Sequence, residues 1–323
     1  MKCLVTGAAG FIGSHLCERL LQAGHRVVGL DAFVRSYPRA IKEANLAAAR
    51  AHRQFRLHDL DLRSDPIEDV MRDAEAIIHL AAMPGLPKSW TDFDLYESCN
   101  VIGTQRLLKA ASQSRRLQRF VYTSTSSVYG RFANGDEAIP TRPISPYGVT
   151  KLAAEQLCRA YMEEKNLPVT VLRLFSVYGP RQRPDMGYFK FIQALLAGTP
   201  ISVCGDGQQV RGNTYVGDCV EAIMLSLQAL PGETYNVGGG ETASVWDILR
   251  KLEVLTGRRA RVVQEPARLG DQRSTCADTS KLARQLGWRP RIGLEEGLAM
   301  QIAWQQGARQ HEPVRRKSEF VAA

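Results

Sequence analysis

Short apolar runs alternate along the first half of the chain with segments whose apolar residues recur every three to four positions. Cys3-Leu4-Val5 is one such run, and Leu16, Leu20 and Leu21 beyond it carry the helical spacing. The same reading predicts strands over 26–31, 75–81, 118–124 and 169–175, with amphipathic helices between them. Repeated strand–helix units predict an α/β fold built on a doubly wound parallel sheet, with ligands at the carboxyl ends of the strands. After Tyr178-Gly179-Pro180 the pattern loosens into shorter elements richer in Gly, Pro and Arg. That change predicts a smaller C-terminal α/β domain for substrate, without internal repeats. The expected division is 1–177 for the first domain and 178–304 mainly for the second, with some segments returning to the first. The remainder, 305–323, reads as a polar, basic tail that frays.

Chemistry enters at the strand ends. The first strand runs into Gly7-Ala8-Ala9-Gly10-Phe11-Ile12-Gly13 and then a helix. Gly7 permits a tight turn, Gly10 lets the backbone approach a pyrophosphate, and Gly13 lets the helix lie near the strand. Phe11 and Ile12 open the helix, whose free N–H groups face an anion. The spacing is Gly-x-x-Gly-x-x-Gly, and by itself it fits a structural turn as well as a phosphate site. Asp31, ending the second strand, tips the balance: an acidic residue there takes both ribose hydroxyls and repels a 2′-phosphate, which favours NAD over NADP. Asp59-Leu60, after the third strand, is placed to meet an adenine amino group. Leu80, Ala81 and Ala82 end the fourth strand in side chains that leave room for a cofactor. Asn100 lies on a helix, where it either packs beside the nicotinamide or is simply a satisfied polar residue.

The strongest constellation lies further on. Thr125 sits in Thr123-Ser124-Thr125-Ser126-Ser127-Val128-Tyr129-Gly130, and Tyr147 and Lys151 sit in Ser145-Pro146-Tyr147-Gly148-Val149-Thr150-Lys151. Ser145 is a good N-cap and Pro146 a good first helical residue, so Tyr147 and Lys151 share one helix face. An ammonium near a phenol stabilises the phenolate, which makes the tyrosine a usable base near neutral pH. Thr125 can share the proton of a substrate alcohol.

Composition narrows the class without adding a site. A chain of 323 residues, 44% hydrophobic, can bury a large core. No stretch approaches the roughly 18 apolar residues of a membrane span, and the start has no signal-peptide pattern, so a soluble cytoplasmic protein with no membrane role is expected. Seven cysteines, with no Cys-x-x-Cys pair, read as buried reduced thiols, and six histidines without ligand spacing predict no metal. The net charge of +9 is spread along the chain apart from Arg315-Arg316-Lys317. A nucleic-acid surface wants a concentrated basic stripe with aromatics, so no nucleic-acid partner is expected.

On these motifs the chain resembles the extended short-chain dehydrogenase/reductase superfamily, and within it the nucleotide-sugar epimerases and dehydratases. The resemblance runs from Val5-Thr6-Gly7 through Gly270-Asp271-Gln272-Arg273 to Leu286-Gly287-Trp288. It implies a Rossmann domain, tightly held NAD, a nucleoside-diphosphate sugar as substrate and a homodimer. It also implies that Thr125, Tyr147 and Lys151 are the catalytic triad, with Gly7, Gly10, Gly13, Asp31 and Asp59 in the cofactor site.

Three places choose among the relatives. The 4,6-dehydratases carry an Asp-Glu pair after the catalytic Thr and the decarboxylating relatives a Glu, but here Ser126 and Ser127 stand there. Hydroxyls alone favour simple C4 epimerisation. Tyr178-Gly179-Pro180-Arg181-Gln182-Arg183-Pro184-Asp185-Met186 resembles the UDP-glucuronate 4-epimerases, and Arg183 can grip a C6 carboxylate bidentately. Ser126, Ser127 and Ser176 would be hydroxyl donors, and Arg211 and Arg273 diphosphate clamps. Asp271 would meet the ribose, and Lys88 the sugar or its phosphate. Cys204 stands where relatives offer an aromatic to the base, which leaves the base open. The expected reaction is NAD-dependent C4 epimerisation through a 4-keto intermediate, UDP-glucuronate to UDP-galacturonate. UDP-glucose 4-epimerisation, dehydration or decarboxylation, and a non-catalytic NAD-binding regulator are the alternatives.

Overall fold

The computed structural model describes residues 1–310. The seven strands of its central sheet are β1 (Lys2–Thr6), β2 (Arg26–Leu30), β3 (Phe55–His58), β4 (Ala76–His79), β5 (Arg119–Thr125), Val169–Leu174 and Thr234–Val237. All pair in parallel, in the spatial order 234–237, 169–174, β5, β4, β1, β2, β3. The chain winds one way from β1 to β3 and the other way from β4 onward. The crevice therefore opens outside the carboxyl ends of β1 and β4.

Strands buried on both faces read as continuous apolar runs, and alternate residues serve opposite layers. Cys3 and Val5 join one core with Leu16 and Leu20 of helix α1 (Phe11–Gln22) and with Cys219 and Ile223. Leu4 and Ile77 join the other, with Leu107, Phe120, Ala154 and Cys158. A third core, including Ile192, Leu195, Leu249, Leu252 and Leu298, belongs to the second half.

The two halves interlock. Thr234–Val237 comes from beyond Tyr178 yet forms an edge of the central sheet. Conversely, Phe132–Gly135 pairs with Ser274–Ala277 in a four-stranded sheet otherwise made by the second half. The expected tail begins too early: the helix Leu294–Gln310 runs through position 305, where Gln305 is buried and donates to the Phe189 carbonyl at 3.1 Å. Gln301 and Gln305 point into the fold, while Gln306 is exposed. The basic cluster Arg315-Arg316-Lys317 lies outside the described residues.

Candidate active site

A cavity of about 760 Å³ opens at the switch between β1 and β4. At one end is the glycine turn. Gly7 has φ +69°, and a Cβ on Gly13 would stand 2.1 Å from the Gly7 carbonyl oxygen, so neither position accepts a side chain without moving the turn. Helix α1 starts beyond Gly10 with no side-chain cap, which leaves its first N–H groups for an anion. Asp31 is buried at the end of β2. Its Oδ2 accepts from the Ala9 N–H at 3.0 Å and its Oδ1 from the Phe33 N–H at 2.8 Å. The Lys42 ammonium lies 3.4 Å from Oδ1. Gly7, Gly10, Phe11, Ile12, Gly13, Asp31, Leu60, Leu80, Ala81 and Ala82 all line the cavity.

Asp59 does not. Its carboxylate turns to solvent and pairs with Arg39 at 2.8 Å, while Asp61, Leu62 and Arg63 join Leu60 on the wall. The tandem Asp-Leu-Asp-Leu offers two registers, and the ion pair with Arg39 draws the first aspartate outward. Asn100 is also off the wall. It sits in a π-helical turn, Ser98–Ile102, with Oδ1 accepting from the Met83 N–H at 2.7 Å. Its Nδ2 donates to the Met83 carbonyl at 3.1 Å and to Thr150 Oγ1 at 3.0 Å. Fully satisfied, it fixes the segment after β4 against the helix Pro146–Lys165.

That helix starts as its sequence dictates, with Ser145 Oγ accepting from the Gly148 N–H at 3.1 Å and Pro146 in the first turn. Tyr147 and Lys151 line the cavity together with Thr125, at the end of β5. Burial raises the Tyr147 pKa, while a hydrogen bond with Thr125 and the Arg183 charge pull it back. The Lys151 ammonium is held by the Thr123 carbonyl, at 2.7 Å, and lies 4.3 Å from the Tyr122 ring centre. Its anchor is thus that main-chain oxygen. Burial pushes its pKa down to about 8. Behind it His79 bridges Thr6 Oγ1 at 2.6 Å and Thr104 Oγ1 at 2.9 Å, and burial lowers its pKa to about 3, so the ring is neutral.

At the far end Lys88, Ser126, Ser127, Ser176, Arg183, Arg211 and Asp271 line the wall. The Arg183 fork is taken by Asp185, with Nε to Oδ1 at 3.0 Å and Nη2 to Oδ2 at 2.9 Å. Arg211 donates to Asp271 at 2.7 Å. Arg273 does not reach the wall: it is exposed and pairs with Asp206 at 2.8 Å, because successive strand residues point to opposite faces and Arg273 enters the strand Ser274–Ala277 facing outward. Cys204 is likewise off the wall, with its thiol 3.8 Å from Glu265 Oε2. All seven cysteines are unpaired, but Cys276 is exposed, so not every thiol is buried. Among the described residues no group of three or more His, Cys, Asp or Glu is arranged to hold a metal ion.

Residues 3–238 match the sequence profile of the NAD dependent epimerase/dehydratase family. The chain belongs to this family. It is 42% identical over 309 residues to a protein of Bacillus subtilis (strain 168) named as an uncharacterized UDP-glucose epimerase, covering 94% of this chain and 98% of the relative. It is 35% identical to a UDP-glucuronate 4-epimerase of Thermodesulfobacterium geofontis (strain OPF15), over 93% and 95% of the two chains. The crystal structure of the UDP-glucuronic acid 4-epimerase from Bacillus cereus, in complex with UDP-glucuronic acid and NAD, superposes with a TM-score of 0.93 at 38% identity. That match covers 95% of this chain and 100% of the other.

As in an NAD-dependent family, the residues present fit the dinucleotide. The space a Cβ would fill at Gly7 and Gly13 is where the chain folds tightly enough to bring free N–H groups to a pyrophosphate, and the Asp31 carboxylate stands on the same wall. Asp31→Ala is expected to weaken NAD and relax discrimination against NADP. An unchanged NAD-to-NADP preference in a fluorescence titration would place cofactor choice elsewhere. The sequence pattern missed Lys42, Asp61, Arg63, Asp185 and Gln272, all of which line the cavity. For Asp61 the second Asp-Leu repeat was a readable signal. Arg63 and Asp185 come with their near neighbours Asp61 and Arg183, and Lys42 and Gln272 carry no such signal.

Proposed function

We propose that the protein epimerises UDP-glucuronate to UDP-galacturonate at C4 through a 4-keto intermediate, with Thr125, Tyr147 and Lys151 as its catalytic residues. The observation that carries the reading is that Thr125, Tyr147 and the Arg183 guanidinium line the same cavity, so a base for a sugar hydroxyl and a cation for a carboxylate face one ligand space. Tyr147 as phenolate takes the proton of the C4 hydroxyl, with Thr125 sharing it. Lys151, held beneath by Thr123, supplies a fixed positive charge near the base. Bound NAD would supply the acceptor and later the donor of the C4 hydride. The sugar turns about its link to the diphosphate between the two transfers, and Tyr147 returns the proton. Arg211, held by Asp271, and Lys88 are assigned to the diphosphate and sugar. Elimination of water would need an acid beside C5 and C6, and Ser126 and Ser127 provide none.

A second reading, UDP-glucose 4-epimerisation, is favoured by the Asp185 carboxylate in the Arg183 fork, which leaves less of that fork for a substrate acid. Incubation with each UDP-sugar and NMR of the products decides between them. Formation of UDP-galacturonate supports the first reading. Turnover of UDP-glucose alone supports the second.

We further propose a cytoplasmic homodimer. Trp90, Phe93, Ile102 and Val149 are exposed on neighbouring elements, a surface that a second copy would cover. Among the described residues no helix is long and apolar enough to cross a membrane.

A further inference from the structure

Gln272 stands on the cavity wall, 7% exposed, and its side chain is held at three points. The amide nitrogen donates to the Ser126 carbonyl at 3.1 Å and to the Gly130 carbonyl at 2.8 Å. The amide oxygen accepts from the Ser126 hydroxyl at 3.2 Å. Two main-chain carbonyls on one side leave the amide a single orientation, since turning it would set oxygen against oxygen twice. The amide oxygen must then face Ser126. A serine hydroxyl has one proton, and this one goes to Gln272.

What Ser126 shows to the cavity is therefore lone pairs. We propose that Gln272 fixes the polarity of the Ser126 hydroxyl, so that Ser126 meets the sugar as a hydrogen-bond acceptor and selects a sugar hydroxyl at that contact over a carboxylate oxygen. The proposal deepens the nucleotide-sugar reading of the cavity and rests on it. The neighbouring hydroxyl differs: Ser127 Oγ lies 3.3 Å from Thr125 Oγ1 and makes its contact there, not with Gln272. A substrate carboxylate thus draws its donor from Arg183, while Ser126 opposes it. Gln272 is a positioning residue, acting through Ser126. It also follows Asp271 directly, so the segment that holds Arg211 is the one that orients Ser126.

The test is titration calorimetry of the NAD-loaded full chain with UDP-glucuronate and UDP-glucose, on wild type, Gln272→Met, Ser126→Ala and the double variant. Gln272→Met frees the Ser126 proton, and affinity for UDP-glucuronate relative to UDP-glucose is expected to rise roughly tenfold, the scale of one hydrogen bond to a charged group. In the Ser126→Ala background the same substitution is expected to change that ratio no further. Ser126→Ala alone is expected to weaken UDP-glucose at least as much as UDP-glucuronate. This arm also decides the matter if Gln272→Met, with two carbonyls left without a donor, does not fold. The proposal is overturned if Ser126→Ala weakens UDP-glucuronate roughly tenfold more than UDP-glucose. It is equally overturned if Gln272→Met shifts the ratio as much without Ser126 as with it. A wild type that binds both sugars and epimerises neither removes the epimerase reading alone, because the binding ratios still judge Gln272.

Discussion

Tyr147→Phe is expected to lower turnover on the order of a thousandfold while NAD binding stays intact, since general base catalysis contributes ~10²–10⁴. The ring is retained, and with it the edge-on contact with Tyr96 at 6.2 Å between ring centres, so the loss reports the hydroxyl and not the packing. The direction of the pH dependence follows from the same geometry. Burial raises the Tyr147 pKa, and the base works deprotonated, so the wild-type rate is expected to rise with pH on the limb that belongs to this group. Single-turnover kinetics beside a cofactor titration checks both parts. Wild-type-like turnover in Tyr147→Phe would take the base away from this residue.

The second large effect concerns Arg183. Arg183→Ala is expected to weaken UDP-glucuronate binding by ~2–5 kcal/mol, the loss on truncating one partner of a desolvated charge pair, and UDP-glucose only slightly. The Arg183 side chain is 17% exposed, which keeps it on the desolvated side of that comparison. A second readout follows from the chemistry of the intermediate. Oxidation at C4 turns the glucuronate into a β-keto acid, and a carboxylate free to rotate perpendicular to the carbonyl plane loses CO2. With the guanidinium gone, a UDP-4-keto-pentose and reduced cofactor are expected as side products by mass spectrometry. Equal losses on both sugars with no pentose would move Arg183 to the diphosphate.

What was legible in the sequence is what local spacing controls. The glycine turn, the Ser145 cap and the Tyr147–Lys151 pair each depend on residues within a few positions of one another, and each forms as its spacing dictates. The parallel sheet follows from strand runs buried on both faces. What was illegible is what distant contact decides. Nothing near Asp59 says that Arg39 will draw it away from the cavity. Local spacing was silent once as well: Asp185 is only two positions from Arg183, yet no periodicity says that it folds back into the fork instead of pointing to solvent. Gln272 meets Ser126 across 146 positions of chain, and no periodicity reaches that far. Asn100 required knowing that the helix around it would open into a π turn, a local distortion that the apolar pattern does not encode.

The strand Thr234–Val237 bears on how such a chain can be made. During synthesis Val169–Leu174 leaves the ribosome long before the strand that covers it, and until then its outer N–H and C=O groups form a bare edge ready to recruit another chain. A fragment ending near Tyr178 would carry that edge permanently, so the nucleotide-binding half is not a module to be excised and grafted elsewhere. Native pairing waits for the second half to emerge, and the late-arriving segment becomes the edge strand of the whole sheet.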